Sequence, residues 1–210
     1  MKQLRSISER TMKKIRFIIG DAFVSNELFH EFGCIAERRS LVMRYMSAYV
    51  DFVYEANALY ATDDGLGYIG LQYSMDSALI PQIKMLIRLF TGIPLGKIRK
   101  LLGYISQIAN ENKRYASKPH IDVLMVAVNK KAQGKGYATQ LIRFAKEMAR
   151  KKKVPLLVDT DMKQYAEMYQ HLGFTLYNTK TASNGVTRYN LVWKPNKEKI
   201  ERSQVHHNEV

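Results

Sequence analysis

The chain has 210 residues, 46% apolar and 25% charged, a composition that suits one soluble globular domain able to bury a core without disulfides or metals. Its single cysteine, Cys34, excludes an internal disulfide and points to a reducing compartment, hence the cytoplasm. The basic start is followed by no signal-type apolar region and no run of about 18 apolar residues, so neither secretion nor a membrane span is expected. A formal net charge of +14 favours anionic partners or serves solubility.

In chain order, the first half reads mainly as helix. Ser6 to Ile19 carries Ile7, Met12, Ile15, Ile18 and Ile19 as a helical stripe. Ser40 to Ala56 repeats the pattern through Leu41, Val42, Tyr45, Met46, Tyr49, Val50 and Val53. Phe29 and Phe32 fall on a candidate loop between the two. Residues 58–62 and 67–73 are strand-like and flank Asp63-Asp64-Gly65, a hairpin. Residues 78–90 and 96–111 return to helix around a break at Gly92-Ile93-Pro94.

From Pro119 the order is strand, helix, strand, helix, strand, strand. Ile121 to Val128 is apolar apart from Asp122, as a central strand should be. Ala138, Leu141, Ile142, Ala145, Met148 and Ala149 form a helical stripe. Pro155 to Thr160 is a strand, and Lys163 to Leu172 is a short helix. Phe174 to Thr179 and Val186 to Trp193 flank the turn Ser183-Asn184-Gly185. The tail from Pro195 is polar and expected to fray.

The strongest local signal lies between the strand ending at Val128 and the helix that follows. A helix N-terminus offers unpaired N–H groups and a partial positive charge. Glycines there let backbone approach a phosphate. Gln133-Gly134-Lys135-Gly136-Tyr137-Ala138 therefore reads as a diphosphate cradle, with Lys135 adding charge. It lacks the spacing of a P-loop, and Thr139 stands where a dinucleotide fingerprint needs its third glycine.

The loop resembles the Gln/Arg-x-x-Gly-x-Gly/Ala signature of the GNAT superfamily of acetyltransferases, with Gln133, Gly136 and Ala138 at the marked positions. Tyr169-Gln170-His171-Leu172-Gly173-Phe174 is similar to that family's Tyr-x-x-x-Gly-Phe segment, at a matching distance. The resemblance covers about residues 119–193. It implies an α/β (α+β) GNAT fold: a central mixed, mostly antiparallel twisted sheet flanked by helices. It also implies a single domain over 1–194, with a helical N-terminal part (about 1–57 and 78–111), a CoA-binding core at 119–193, and a polar tail at 195–210.

Acetyl-CoA is the implied cosubstrate, with no metal. Its pantetheine arm would lie between strands 121–128 and 155–160, against Val126, Ala127 and Val128. Its diphosphate would meet Gln133, Gly134, Lys135, Gly136, Tyr137, Ala138 and Thr139. The Val126 N–H would receive the thioester oxygen, a role worth about 3 kcal/mol where such donors have been removed. An acceptor amine would attack directly, and Tyr169 would return a proton to the leaving thiolate. Packing on the stripe of Tyr165 and Leu172 is the alternative role for Tyr169.

Asp122 holds a place similar to the base of the histone-acetylating branch, with His120 as runner-up and solvent-facing positions as the alternatives. The family's usual asparagines are replaced by Tyr165 and Met162, with Asp161 and Gln164 as stand-ins. Lys151 to Lys153 would attract the adenosine 3′-phosphate or simply cap a helix end. Tyr45, Tyr49, Tyr54, Tyr60, Tyr68 and Tyr73 could wall an amine pocket or pack the core.

The expected activity is N-acetylation of a small-molecule amine. The alternatives are a protein or peptide N-acetyltransferase, or a non-catalytic CoA-binding module on the same fold. No nucleic-acid-binding motif accompanies the positive charge, no membrane partner is expected, and a homodimer is compatible with the family.

Overall fold

The computed structural model describes residues 1–109 and 118–195. The polar tail from 196, and the end of the helix expected over 96–111, lie outside the described residues.

Ser8 caps the first helix by accepting a hydrogen bond from the Thr11 N–H, so α1 runs Glu9–Phe23 instead of starting at Ser6. Its Met12, Ile15 and Ile19 pack on Val42, Met46, Val50 and Val53 of α2 (Ile35–Glu55). Gly20 permits this approach, because a Cβ there would stand 2.7 Å from the Met43 sulfur. Phe29 and Phe32 sit on a 3-10 helix, Glu27–Phe32, rather than on a loop. Both are buried, with Phe29 edge-on to Tyr45.

Seven strands form one sheet in the order β1-β2-β3-β4-β5-β7-β6. They are β1 (Lys2–Gln3), β2 (Leu59–Ala61), β3 (Gly67–Tyr73), β4 (Ile121–Val128), β5 (Leu156–Thr160), β6 (Thr175–Thr181) and β7 (Thr187–Trp193). Every pairing is antiparallel except β4 with β5. Between β3 and β4 the described residues form two helices, α3 (Leu79–Gly92) and α4 (Leu95–Ile108). α5 (Tyr137–Lys152) and α6 (Lys163–His171) complete the layers.

Two apolar cores lie on opposite faces of the sheet. One joins α1 and α2 to Met125 and Ala127 of β4. The other joins α5, through Leu141, Ile142, Ala145 and Ala149, to Ile121, Val123 and β5. This mixed sheet between helical layers is the expected α/β architecture.

Two irregularities in β4 shape the site. The register against β3 shifts between Gly70 and Leu71, which leaves Leu124 as the extra residue of a bulge. The parallel pairing with β5 ends at Val123↔Val158, so the two strands part beyond it.

Candidate active site

The gap between β4 and β5 opens into a cavity of about 690 Å³. Its wall brings together Val126, Ala127, Val128, Gln133, Gly134, Gly136, Tyr137, Ala138, Thr139 and Tyr169. Of the residues expected from the sequence, Lys135 and Asp122 are not on that wall.

One end of the cavity is backbone. The Asn129 N–H bonds to the Leu66 carbonyl of the neighbouring hairpin, and antiparallel ladders alternate inward and outward groups. The N–H groups of Val128 and Val126 therefore face away from β3 and into the gap. The following loop is drawn tight by Asn129, whose side chain accepts from the Lys131 N–H, and by Gln133, whose amide donates to the Val128 carbonyl.

Gly134 and Gly136 take left-handed φ of 76° and 82°. A Cβ on either would meet no atom within 4 Å, so the space over them is open. No side chain caps the start of α5, which leaves its first N–H groups directed at that space. An extended anion fits this cradle by charge and by room. The ring of Tyr137 is turned away, its hydroxyl donating to Asp64 at 2.6 Å. Lys151 to Lys153 lie at the opposite end of α5, about 24 Å along the helix, with Lys152 over the ring of Tyr73. That run is a helix terminus and not part of the cavity.

The other end is made of side chains. Alternation along β5 turns Leu157, Asp159 and Asp161 to one face. Arg188 of β7 grips Asp161 in a fork, Nε and Nη2 each donating at 2.9 Å. Its Nη1 stands 3.7 Å from Asp159. Burial alone would pull the Arg188 pKa down, but the two carboxylates outweigh it and hold the guanidinium charged. Burial pushes the Asp159 pKa up, with Arg188 offsetting part of the effect.

From the opposite side come Tyr45 and Tyr49 of α2, with ring centres 6.5 Å apart. Burial pushes the Tyr45 phenol up to about 12 and raises Tyr49 as well. The Tyr49 hydroxyl donates to the carbonyl of Leu124, the bulge residue. Tyr169 reaches the gap from α6, edge-on to Phe174. Burial, and next the charge of Asp159, hold its phenol above its ordinary range.

Four of the six tyrosines singled out in the sequence serve elsewhere. Tyr54 accepts from the Ile7 N–H, Tyr60 packs on Phe144, Tyr68 donates to the Gly65 carbonyl, and Tyr73 lies under Lys152. Asp122 sits where β4 and β5 still pair, with His120 Nε2 3.3 Å from its carboxylate. Burial raises its pKa, and His120 partly offsets this. His120 is itself buried, not an exposed loop residue. Met162 and Tyr165 line the cavity, Asp161 is committed to Arg188, and Gln164 faces a separate depression beside Asn184.

Asp159 and Arg188 were not singled out in the sequence. Their signal is the alternation of Asp159 and Asp161 in an otherwise apolar strand, which needed the pairing of β5 with β7 to be read.

A family model described as an Acetyltransferase (GNAT) domain matches residues 96–176, spanning β4, the loop, α5, β5 and α6. No curated protein matches the sequence. Among solved structures, an agmatine N-acetyltransferase mutant in its apo form is 14% identical. That match covers 91% of this chain and 98% of that one, with a TM-score of 0.58. A Corynebacterium glutamicum structure, titled histone acetyltransferase HPA2 and related acetyltransferase, is 17% identical over 90% of this chain and 93% of its own, with a TM-score of 0.56. Arylalkylamine N-acetyltransferase 2 from Aedes aegypti is 15% identical over 91% and 98%, with a TM-score of 0.54. A local match to an acetyltransferase structure from Agrobacterium tumefaciens is 26% identical, with a TM-score of 0.34. The chain spans 57% of that protein's length, and 36% of the chain is covered. The three chain-wide likenesses give the fold, and the domain match falls on the segment that holds β4, the loop and β5 of the cavity. Residues 96–176 match the GNAT acetyltransferase domain, and the chain as a whole shares the fold of acetyltransferases of that superfamily.

Proposed function

We propose that this acetyltransferase modifies the amine of a small cationic molecule, with acetyl-CoA as donor. The observation that carries the reading is Asp159. It faces the cavity, and its nearest cation among the described residues is Arg188 at 3.7 Å, already engaged by Asp161. A carboxylate in that position is suited to an ammonium group, and the rings of Tyr45 and Tyr49 offer faces to the same cation. A cavity of about 690 Å³ shared with a pantetheine arm leaves room for a small acceptor. Two proteins of similar fold are titled for small amines, agmatine and arylalkylamines.

When bound, acetyl-CoA supplies an activated acyl carbon and a thiolate leaving group. Gly134, Gly136 and the first N–H groups of α5 hold its diphosphate, with Gln133 bracing the loop. The Val126 N–H stabilises negative charge on the acyl oxygen. Asp159 accepts the proton that the ammonium must lose before its nitrogen can bond to the acyl carbon. Tyr169 donates the proton that the sulfur takes as the carbon–sulfur bond breaks, and the second proton shed by the nitrogen as the amide forms restores the phenol.

The two proton transfers are coupled. The charge on Asp159 is one cause of the raised Tyr169 pKa, so neutralising Asp159 makes the phenol a better acid. Asp159 takes this role instead of Asp122, which lies off the cavity wall.

The test is thiol release from acetyl-CoA with a panel of monoamines, diamines, amino acids and short peptides. Small cationic amines are expected to exceed peptides at least tenfold in kcat/KM. Preference for peptide N-termini or peptide lysines would overturn the reading, as would CoA binding without any turnover.

A further inference from the structure

The helix α3 turns its apolar side chains outward. Leu89 is its one buried residue. Leu79, Ile80, Ile83, Leu86, Ile87 and Phe90 are 37 to 69% exposed. A soluble chain rarely leaves so continuous an apolar stripe bare, because each such side chain loses about 1.5–3 kcal/mol by staying in water.

The spacing of the stripe says what shape covers it. Leu79, Ile83, Leu86 and Phe90 follow one another at intervals of four, three and four. That is the seam of a two-helix coiled coil, whose knobs need a facing helix with the same spacing. Ile80 and Ile87 broaden the seam on one side. With Met75 and Leu95 at its ends, the exposed apolar surface is on the order of 800 Å². That equals the area each partner contributes to a standard interface.

The charges beside the stripe are neutralised from within. Lys84 pairs with Glu55 at 3.0 Å. Arg88 pairs with Asp51 at 3.1 Å and with Glu55 at 3.0 Å. Two such faces can therefore meet without opposing free cations. An anionic lipid surface would instead call for unpaired basic groups along the helix, and α3 presents none among the described residues. The segments 110–117 and 196–210 are polar in sequence and have no apolar run to lay over the stripe.

We infer that α3 pairs with α3 of a second copy of this chain, in a two-fold dimer built on the seam from Leu79 to Phe90. A two-fold contact uses the same patch twice, which a self-complementary seam allows. The dimer is tightened by salt, since each protomer carries a net charge of +14 and only the long-range repulsion is screened. Salt has the opposite effect on attachment to anionic lipid.

The experiment is sedimentation equilibrium of the full chain at low and high salt. The expected mass is twice the 24.3 kDa of the protomer, with tighter association at high salt. Ile83→Glu combined with Ile87→Glu should give a monomer with an unchanged circular dichroism spectrum. A neutral variant, Leu79→Gln with Phe90→Ser, should weaken the dimer at least tenfold without adding charge. A monomeric wild type at micromolar concentration overturns the inference, whether or not it sediments with phosphatidylserine vesicles. So does a dimer that both variants leave intact.

Discussion

The two ends of the cavity recognise their ligands by different means. The end at Gly134 and Gly136 works with backbone: outward N–H groups of β4, two left-handed glycines and an uncapped helix. Its chemistry is local, contained within residues 126–139. The end at Asp159 works with side chains delivered by α2, β5, α6 and β7. Its chemistry is a charge balance among groups distant in the chain, and part of that balance is costly. Burial raises the Asp159 pKa against the opposing pull of Arg188, while Arg188 is satisfied by Asp161. A backbone cradle tolerates side-chain variation around it. A buried charge cluster does not, so substitutions should separate the two ends.

The largest separation is expected at Tyr169. Tyr169→Phe removes only a hydroxyl from a buried ring beside Phe174. It should lower kcat by about 10²- to 10⁴-fold, the usual worth of a positioned acid, and leave CoA affinity unchanged. Isothermal titration with CoA and steady-state kinetics on one preparation test both halves. Unchanged turnover would assign the whole rate to the backbone end.

Arg188→Ala comes next and is read as stability. It strands Asp161 in a buried site and deprives Asp159 of its nearest cation, at a cost of about 3–5 kcal/mol. Replacing the pair together, Arg188→Met with Asp161→Leu, should recover the part of that loss due to Asp161, which is then no longer stranded, while Asp159 still lacks its cation. Urea melts of the two variants decide it. If both lose equally, the cost belongs to packing or to Asp159, and not to the stranding of Asp161.

This division also explains what sequence reading could reach. The order of strands and helices from Ile121 to Trp193 follows from period changes and turn residues. The loop follows from glycines beside a helix start. All of these are local, and the observed elements match them within a few residues. At Ser8 a cap, not the apolar stripe, set the helix start. At Phe29 and Phe32 a short polar-flanked segment looked like a loop but folds as a 3-10 turn under Tyr45. The acceptor end depends on which residues of β5 and β7 sit opposite each other, and on which α2 tyrosines reach the gap. Asp122 stood out as the one charge in β4, yet the pairing of β4 with β5 persists beside it and keeps it off the cavity wall.

Asp159→Asn should lower kcat/KM by about 10²-fold for amines and raise stability near neutral pH. The folded-state pKa of Asp159 lies above its unfolded value, so the native state binds this proton more tightly. The group's contribution to stability is therefore full at low pH and is lost as pH rises through the folded pKa. Asparagine does not ionise, so its advantage should vanish below about pH 4 and be complete above that folded pKa. Thermal melts across pH, set beside a pH–rate profile, test this. In the profile, the acid limb of kcat/KM should be lost in the variant. An acid limb that persists would transfer the proton-accepting role to Asp122 and His120.

The smallest effect belongs to the one bond that joins the two ends. Tyr49 lies on the acceptor side, but its hydroxyl donates at 3.1 Å to the Leu124 carbonyl, at the bulge that precedes Val126. Tyr49→Phe keeps the ring and its contacts with Tyr45 and Phe52. It should cost about 1 kcal/mol of stability, the net worth of one hydrogen bond. If the ends are independent, CoA affinity will not change, since Val126 is still held by its register with Ile69 of β3. A several-fold rise in the CoA dissociation constant would instead mean that α2 sets the aim of the Val126 N–H through the bulge. The backbone end would then be tuned by the side chains across the cavity, and the contrast between the two ends would be one of chemistry only.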